Sequence, residues 1–320
     1  MHEIRKSYIL NRWVIINTER AKRPQDFAKE TLKAKEEGVC PFCPGNEKMT
    51  PPEISRIEEN GKWQMRVFPN KYPAVTLDCS SEIETEDFYF TRSDGYGKHE
   101  VIVETPNHNE DLSDLPVEKI KQLLDVYIER INALGNVKGI EHIAIFKNHG
   151  PEAGTSIDHE HSQIIAYNRP SMQVDREVEA VDSFRKKHKK CAWCEIVEIE
   201  RKGPRRAFEN DSFVAFCPYA SRFAFELAIM PKKHLDSLAE VDEKGLLDLA
   251  EILKKALSKL KPLNAPYNLY LHESPKGKKL HFHFKISPRL LSWGGFEHST
   301  GTVINTVSPE QAAEFYRKEG

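Results

Sequence analysis

Residues 159–164 read His-Glu-His-Ser-Gln-Ile, and this stretch carries the sharpest signal in the sequence. Side chains at positions i, i+2 and i+4 of an extended strand lie on one face, with roughly 6.5–7 Å between neighbours. His159, His161 and Gln163 therefore share a face, and the pattern predicts a strand that presents an imidazole beside a neutral amide. A core histidine at position 161 is the alternative, but the polar residues on both sides of it are not typical of a buried strand.

The same order of features returns in the second half of the chain. Residues 281–286 read His-Phe-His-Phe-Lys-Ile, and each double-histidine stretch follows an amphipathic helical pattern. Upstream of each helix lies a single histidine, His108 or His234, with apolar residues four and seven positions later. We interpret the chain as two copies of one unit, residues 1–170 and 171–320, each a mainly antiparallel sheet with flanking helices. The predicted fold class is α+β (α/β).

Four of the six cysteines form two Cys-x-x-Cys pairs, one in each repeat. In a reducing compartment such pairs hold a metal or do redox chemistry more often than they form structural disulfides. Two thiolates and two imidazoles suit tetrahedral zinc, and four protein ligands leave no open position, so each metal is expected to be structural. An ordinary loop or strand role is the alternative for any single histidine, and the doubled arrangement argues against it. The predicted ligands are Cys40, Cys43, His108 and His159 for zinc at the first site, and Cys191, Cys194, His234 and His281 for zinc or another metal at the second.

Local patterns predict the remaining elements. Asn60 and Gly61 tolerate the positive φ of a tight turn, so they mark a hairpin. Apolar residues around Asn11 and Arg12 indicate a further strand pair near the start of the chain. The strand pair is predicted over 8–16, and helices are predicted over 116–134, 172–187, 192–202 and 242–260.

The composition bounds the class of protein. The chain has 320 residues and a mass of 36.8 kDa, enough for two domains of about 150 residues each. Its 47 Lys and Arg residues nearly balance 49 Asp and Glu residues, which argues against a nucleic-acid partner. No apolar run approaches the ~20 residues of a membrane span, and the first residues lack the apolar core of a signal peptide. We therefore expect a cytoplasmic protein with no membrane partner.

Several short motifs together carry a resemblance to a known family. They are Arg-Ala-Lys-Arg-Pro at 20–24, Cys-Pro-Phe-Cys at 40–43, Phe-Pro-Asn at 68–70, Asn-His-Gly at 148–150 with the residues up to 156, His-Glu-His-Ser-Gln at 159–163, and Gly-Phe-Glu at 295–297. Over nearly its whole length the chain resembles galactose-1-phosphate uridylyltransferases, which belong to the transferase branch of the histidine-triad superfamily. Histidine-triad hydrolases have a third histidine where Gln163 stands, so this position resembles the transferases.

The resemblance implies two histidine-triad-like halves and a role for each matching residue. His161 matches the nucleophile that takes the nucleotidyl group, and Gln163 matches the amide that binds the phosphoryl oxygen. A solvated basic loop is the alternative for the two arginines of the 20–24 motif. The implied substrate contacts are Arg20 and Arg23 with the phosphates, Asn70 with the nucleotide, Asn148 and Ser156 with the diphosphate, and Glu297 with the hexose.

The resemblance also implies a reaction in galactose metabolism. UDP-glucose and galactose 1-phosphate would give UDP-galactose and glucose 1-phosphate by double displacement, through a uridylyl group carried on His161. The implied partners are a nucleotide sugar, a hexose 1-phosphate and a second copy of the chain in a homodimer. The implied cofactor is zinc, two ions per chain.

Two positions depart from the uridylyltransferase pattern and keep other readings open. Glu160 stands where these enzymes typically have proline, and Ser162 stands where they have glycine. The Ser-Gln pair and the Gly-Phe-Glu stretch also resemble ADP-glucose:phosphate adenylyltransferases, which gives an alternative reaction on the same fold. A dinucleoside polyphosphate hydrolase is disfavoured by Gln163, and a non-enzymatic zinc-binding module is disfavoured by the nucleophile strand.

The second double-histidine stretch is expected to carry no nucleophile. His283 corresponds to His161 in the repeat, but Lys285 follows it where Gln163 follows His161. A cation thus stands in the place of the amide. We interpret His283 as a structural residue or as an added metal contact.

Overall fold

The computed structural model describes residues 1–20 and 39–318, and its centre is one ten-stranded sheet. A three-stranded sheet joins strands from both ends of the chain, and a two-stranded hairpin lies apart from it. The strands are β1 (His2–Lys6), β2 (Trp13–Asn17), β3 (Ser55–Glu59), β4 (Lys62–Pro69), β5 (Ile83–Glu86), β6 (Phe90–Ser93), β7 (Gly97–Val103), β8 (His142–His149), β9 (His161–Tyr167), β10 (Arg206–Glu209), β11 (Phe213–Phe216), β12 (Leu227–Pro231), β13 (Tyr267–His272), β14 (His283–Pro288) and β15 (Val303–Asn305). The α-helices are α1 (Val117–Gly135), α2 (Met172–His188), α3 (Ala192–Glu200), α4 (Glu243–Leu260), α5 (Gly295–Thr300) and α6 (Pro309–Arg317).

The ten-stranded sheet shows the internal repeat directly. Its order is β10-β11-β12-β14-β13-β8-β9-β7-β4-β3. Read outward from the contact between β8 and β13, the two halves follow the same order, β8-β9-β7-β4-β3 on one side and β13-β14-β12-β11-β10 on the other. The predicted α+β class with mainly antiparallel strands is confirmed. The two five-stranded units form one continuous sheet because β8 pairs with β13, for example at Asn148 and Asn268. This pairing satisfies backbone groups that would otherwise be unpaired at the edge of each unit.

The helices cover the two faces of this sheet. Helices α1 and α4 pack on each other and on one face, where α1 buries Leu123, Tyr127 and Leu134. Helices α2 and α3 cover the other face of the second unit, where Val178 and Trp193 meet apolar side chains of β11 and β12. The predicted helices over 116–134, 172–187, 192–202 and 242–260 are confirmed, with α3 ending at residue 200. None of the described helices is long and apolar enough to cross a membrane.

Two local predictions have different outcomes. The hairpin is confirmed, because Asn60 (φ 52°) and Gly61 (φ 73°) form the turn between β3 and β4. The strand pair predicted over 8–16 is confirmed for its second strand, β2, and wrong for its first, since β1 ends at residue 6 and residues 7–12 connect it to β2. Tertiary contacts override the local strand preference there. The hydroxyl of Tyr8 donates to Glu200 at 2.9 Å, and its ring packs edge-on to Trp193 at a centroid distance of 6.2 Å.

Candidate active site and metal sites

Strand β9 presents His161 and Gln163 on one face. The ring of His161 is buried beside that of Phe42, with 5.3 Å between the centroids. Its Nδ1–H group donates to the carbonyl oxygen of His159 at 2.9 Å, which leaves Nε2 as the unprotonated nitrogen. Burial lowers the pKa of His161 to about 4, so the ring is neutral at pH 7. An oriented, neutral imidazole of this kind can act as a nucleophile.

The four ligands predicted for the first metal meet beside this strand. The ligand atoms of Cys40, Cys43, His108 and His159 all lie within 4.8 Å of one another. The distance from Sγ of Cys43 to Nδ1 of His108 is 3.4 Å, and that from Sγ of Cys40 to Nδ1 of His159 is 3.6 Å. Tetrahedral zinc, with Zn–S of about 2.3 Å and Zn–N of about 2.0–2.1 Å, separates sulfur from nitrogen by about 3.6 Å. The donor set therefore fits zinc by both its chemistry and its spacing.

The second group repeats this arrangement in the other unit. Cys191, Cys194, His234 and His281 also have their ligand atoms within 4.8 Å of one another. Sγ of Cys194 lies 3.3 Å from Nδ1 of His234 and 3.6 Å from Nδ1 of His281. The same two-thiolate, two-imidazole geometry therefore recurs, and it fits zinc equally well.

Backbone carbonyls orient the histidine that lies two residues before β9 or β14 in each group. The Nε2–H group of His159 donates to the carbonyl oxygen of Thr105 at 2.8 Å, and that of His281 donates to the carbonyl oxygen of Pro231 at 2.9 Å. Each bond fixes the tautomer whose Nδ1 faces the cysteines. Such outer contacts are the usual means of orienting a metal-ligating histidine.

His99, which the sequence analysis did not single out, orients Gln163. The backbone N–H group of Ala74 donates to Nδ1 of His99 at 3.2 Å, so the ring proton lies on Nε2 and is donated to Oε1 of Gln163 at 2.8 Å. The NH2 group of Gln163 is thereby turned away from His99. The side-chain amide of Asn70 lies 3.2 Å from the same Nε2 atom. The strand pattern around His99 contains no signal that could have marked it.

The residues matched to the diphosphate border the same end of the sheet. Asn148 lies near the end of β8, where its Oδ1 atom accepts a hydrogen bond from Asn268 at 2.9 Å. Ser156 is exposed in the loop that joins β8 to β9. Arg23, matched to the phosphates, lies outside the described residues.

Two predicted substrate contacts lie elsewhere. Arg20 and Glu297 line a cavity of about 320 Å³ together with Trp293 of the second unit. Among the described residues, no hydrogen bond or ion pair joins either side chain to His161 or Gln163. The structure thus places Arg20 and Glu297 in a cavity whose lining includes neither His161 nor Gln163.

His283 lies at the position that the repeat predicts, but it is buried. Its Nδ1–H group donates to the carbonyl oxygen of His281 at 3.1 Å, as His161 does in the first unit, yet its side chain has no exposed surface. Lys285 donates to Glu177 at 2.8 Å directly beside it. Tyr8, from the segment between β1 and β2, lines the same small cavity. This position offers no open approach for a nucleotide.

Comparison with known proteins agrees with this geometry. A family model described as galactose-1-phosphate uridyl transferase, N-terminal domain, matches residues 1–169. The chain belongs to the galactose-1-phosphate uridylyltransferase family. A second model, described as a domain of unknown function, matches residues 98–317.

Members and relatives of this family match the chain over nearly its full length. It is 34% identical to ADP-glucose phosphorylase of Arabidopsis thaliana, over 99% of this chain and 92% of that one. It is 28% identical to galactose-1-phosphate uridylyltransferase of Thermotoga maritima, over 99% of this chain and 98% of that one. The crystal structure of the Arabidopsis ADP-glucose phosphorylase with bound ADP-glucose superposes with a TM-score of 0.85 at 33% identity and covers 100% of both chains.

Replacing Gln163 should slow nucleotidyl transfer without unfolding the protein. In the Gln163→His variant a titratable ring replaces the amide that His99 orients. Loss of one donor to a developing oxyanion typically costs about 10²–10³ in rate, and we expect a loss of that size together with faster leakage of the intermediate to water. Single-turnover transfer from a labelled nucleotide sugar measures the loss, and thermal unfolding controls for folding. Transfer at the wild-type rate would show that Gln163 does not hold the phosphoryl oxygen.

Proposed function

We propose that the protein is a nucleotidyltransferase that takes a nucleoside diphosphate hexose and carries the nucleotidyl group on His161. The observation that carries this proposal is the tautomer of His161. Its Nδ1–H group is held by the carbonyl of His159 at 2.9 Å, so Nε2 is the nucleophilic atom. Gln163, on the same face of β9, would supply a neutral donor to the phosphoryl group.

The proposed reaction has two displacements. Nε2 of His161 attacks the α-phosphorus, a P–N bond forms, and the bond between the α-phosphorus and the bridging oxygen breaks. Hexose 1-phosphate leaves with the bridging oxygen. Its second pKa is near 6, so it departs at neutral pH without a dedicated general acid. A phosphate oxygen of the acceptor then attacks the same phosphorus and restores His161.

Other residues would bind the rest of the substrate. Gln163 would stabilise the equatorial oxygens, where catalysis of phosphoryl transfer mostly lies, and the family resemblance assigns Arg20 and Arg23 to the phosphates. Asn70 would contact the nucleotide, and Asn148 and Ser156 the diphosphate. Asn70 contacts His99, which also holds Gln163, and this supports its placement at the nucleotide.

The two Cys2His2 groups would hold zinc as structural ions. Bound zinc supplies a rigid crosslink, and its four protein ligands leave no position for a substrate. The first group would fix the start of β9 through His159. The second would fix the corresponding strand of the second unit through His281. Cysteine ligands of this kind stay reduced in a reducing compartment, which supports a cytoplasmic location.

ADP-glucose with inorganic phosphate as acceptor is our first candidate for the substrates. The serine before Gln163 supports it, since the ADP-glucose branch shares this residue and the uridylyltransferases have glycine there. The 34% identity to the Arabidopsis ADP-glucose phosphorylase supports it as well. UDP-glucose with galactose 1-phosphate is the second candidate, because the family model that matches residues 1–169 carries that description.

A donor screen without acceptor tests both candidates. The protein would be mixed with ADP-glucose or UDP-glucose, each labelled in the α-phosphate, and the acid-labile label retained on the protein would be counted. We expect stoichiometric labelling from ADP-glucose and, on addition of phosphate, release of labelled ADP. Labelling from UDP-glucose, discharged by galactose 1-phosphate, would favour the second candidate. Release of free nucleotide without a protein-bound label would contradict the covalent mechanism.

We further propose that two chains form a homodimer that completes the site. Units 1–170 and 171–320 would act together, because Arg20 and Glu297 line a cavity with residues of the second unit while His161 lies in the first. A second copy would bring these side chains to the sugar phosphate. Trp13 and Ile4 are 46% and 66% exposed on the three-stranded sheet, which gives an apolar surface for contact. Light scattering should give twice the chain mass, and a monomer that is fully active would contradict this proposal.

A further inference from the structure

The two residues that flank His161 point to the opposite face of the sheet, into a buried polar cluster. Glu160 and Ser162 meet side chains from three other places, the end of β7, helix α1 and strand β8. We call this group the anchor cluster. Its members are Glu104, Tyr127, Lys147, Glu160 and Ser162, of which none is more than 5% exposed.

Direct contacts join the members of the anchor cluster. Lys147 donates to Glu104 at 2.8 Å and also forms an ion pair with Glu160. The hydroxyl of Ser162 donates to Glu104 and lies 2.5 Å from the hydroxyl of Tyr127. Glu104 therefore holds both flanks of the nucleophile, one through Lys147 and one through Ser162.

The cluster bears on the peptide group that orients His161. The carbonyl that accepts the Nδ1–H bond of His161 belongs to the peptide linking His159 to Glu160. On one face of the sheet, the ring of His159 is held by the first Cys2His2 group and by Thr105. On the other face, the side chain of Glu160 forms an ion pair with Lys147 and accepts a hydrogen bond of 2.6 Å from Nδ1 of His149. The peptide is thus clamped from both sides.

Stability alone does not explain why the anchor cluster contains buried charged side chains. Taking a carboxylate and an ammonium out of water costs several kcal/mol per ion, and well-packed apolar side chains of similar volume are often at least as stable as a buried ion pair. The charges of this chain therefore call for a role beyond filling the space under α1.

We propose that Glu160 and Lys147 are positioning residues for the nucleophile: they hold the peptide between His159 and Glu160 so that its carbonyl keeps the Nδ1–H tautomer of His161. Nε2 then stays unprotonated and directed to the substrate face. This inference rests on the proposed nucleotidyl transfer for its kinetic consequence. Its structural consequence, the tautomer of His161, is independent of any substrate.

Substitution of Glu160 tests the proposal. A small displacement of a reacting group can cost on the order of 10²-fold in rate. We expect Glu160→Ala to slow formation of the nucleotidyl–protein adduct at saturating nucleotide sugar by about that factor, with an unchanged half-saturating concentration and wild-type zinc content. Glu160→Gln retains the shape and leaves Lys147 paired with Glu104, so we expect only a threefold to tenfold loss. In ¹⁵N-histidine spectra without substrate, the Nδ1–H signal of His161 should be weaker in Glu160→Gln than in the wild type, and weakest in Glu160→Ala.

Glu100 provides the matched control. It lies on β7, is 1% exposed, and accepts two hydrogen bonds of 2.8 Å from Arg130 of α1. It stands opposite Ile164 of β9, on the helical face but away from the clamped peptide. We expect Glu100→Gln and Glu100→Ala to lower the melting temperature while leaving the adduct rate and the tautomer unchanged.

The outcomes separate this inference from the proposed function. A wild-type tautomer and a wild-type rate in Glu160→Ala would overturn the positioning role, as would equal rate losses in the Glu160 and Glu100 variants or a loss of zinc in step with the rate. If Glu160→Ala does not fold, the adduct rate and the His161 tautomer of Glu160→Gln decide whether Glu160 has the positioning role. If the wild-type protein forms no adduct with any nucleotide sugar, the proposed function fails, and the tautomer still tests the clamp.

Discussion

The His161→Ala variant should form no covalent adduct when mixed with α-labelled ADP-glucose or UDP-glucose. His161 is the residue that we propose as the nucleophile, with its Nδ1–H group held by the carbonyl of His159, and alanine offers no nucleophile in its place. Removal of a covalent nucleophile that acts together with its supporting groups costs transfer at least about 10⁴-fold. Acid-labile label on the protein, counted after rapid quenching, measures this loss. Zinc content and melting temperature should stay near the wild-type values, because His161 is not a member of either Cys2His2 group.

The duplicated strand supplies the control for this experiment. His283 occupies the corresponding position of the second unit, but it has no exposed surface and lies beside the Lys285–Glu177 ion pair. We therefore expect the His283→Gln variant to form the adduct in a ratio of one per chain, as the wild type does. A stoichiometric adduct in His161→Ala would mean that His283 or another residue is the nucleophile.

Loss of the first metal site should disable the protein more thoroughly than loss of the second. We expect about two equivalents of zinc per chain in freshly purified protein. Cys43→Ser should remove the first ion, and with it adduct formation and the cooperative unfolding of the first unit. Structural zinc in small peptides contributes roughly 10–16 kcal/mol at neutral pH, so even a fraction of this is large beside the stability of a domain. Mass spectrometry of the metal and thermal unfolding measure both effects.

Cys194→Ser is the matched variant at the second site. It removes a thiolate from an equivalent group, but that group orients His281 and the strand that carries the sealed His283. We expect one zinc equivalent to be lost, the melting temperature to fall, and adduct formation to persist at temperatures where the variant is folded. Less than half an equivalent of zinc in the wild-type protein, purified without chelator, would contradict both expectations.

The elements that the sequence predicted well are those that depend on local spacing. The i, i+2 pattern of 159–163 predicts a strand, and β9 presents His161 and Gln163 on one face but begins two residues after His159. The 3.6-residue period of 116–134 suffices to predict α1. The duplicated order of cysteines and histidines predicted two sets of metal ligands, and the structure brings each set together. The α+β class follows from the same repeated order of strands and helices.

Other features depend on partners that are remote in sequence. The joining of the two units into one sheet depends on the edge pairing of β8 with β13. The first strand of the pair predicted over 8–16 lies earlier in the chain, and Tyr8 packs against the second unit instead. Arg20 and Glu297 line a cavity whose lining does not include His161, and their contact with substrate stays a prediction.

The candidate nucleophile, amide and metal ligands could be predicted from the sequence, because these roles depend on residue type and on short spacings. The contacts that orient these residues could not be predicted in this way. His99 reaches Gln163 because β7 lies beside β9, and Lys147 reaches Glu160 because β8 lies on its other side. Those contacts follow from strand order and register, which depend on the packing of the whole sheet. The sequence around His99 and around Lys147 gives no local signal of the side chain that each of them contacts.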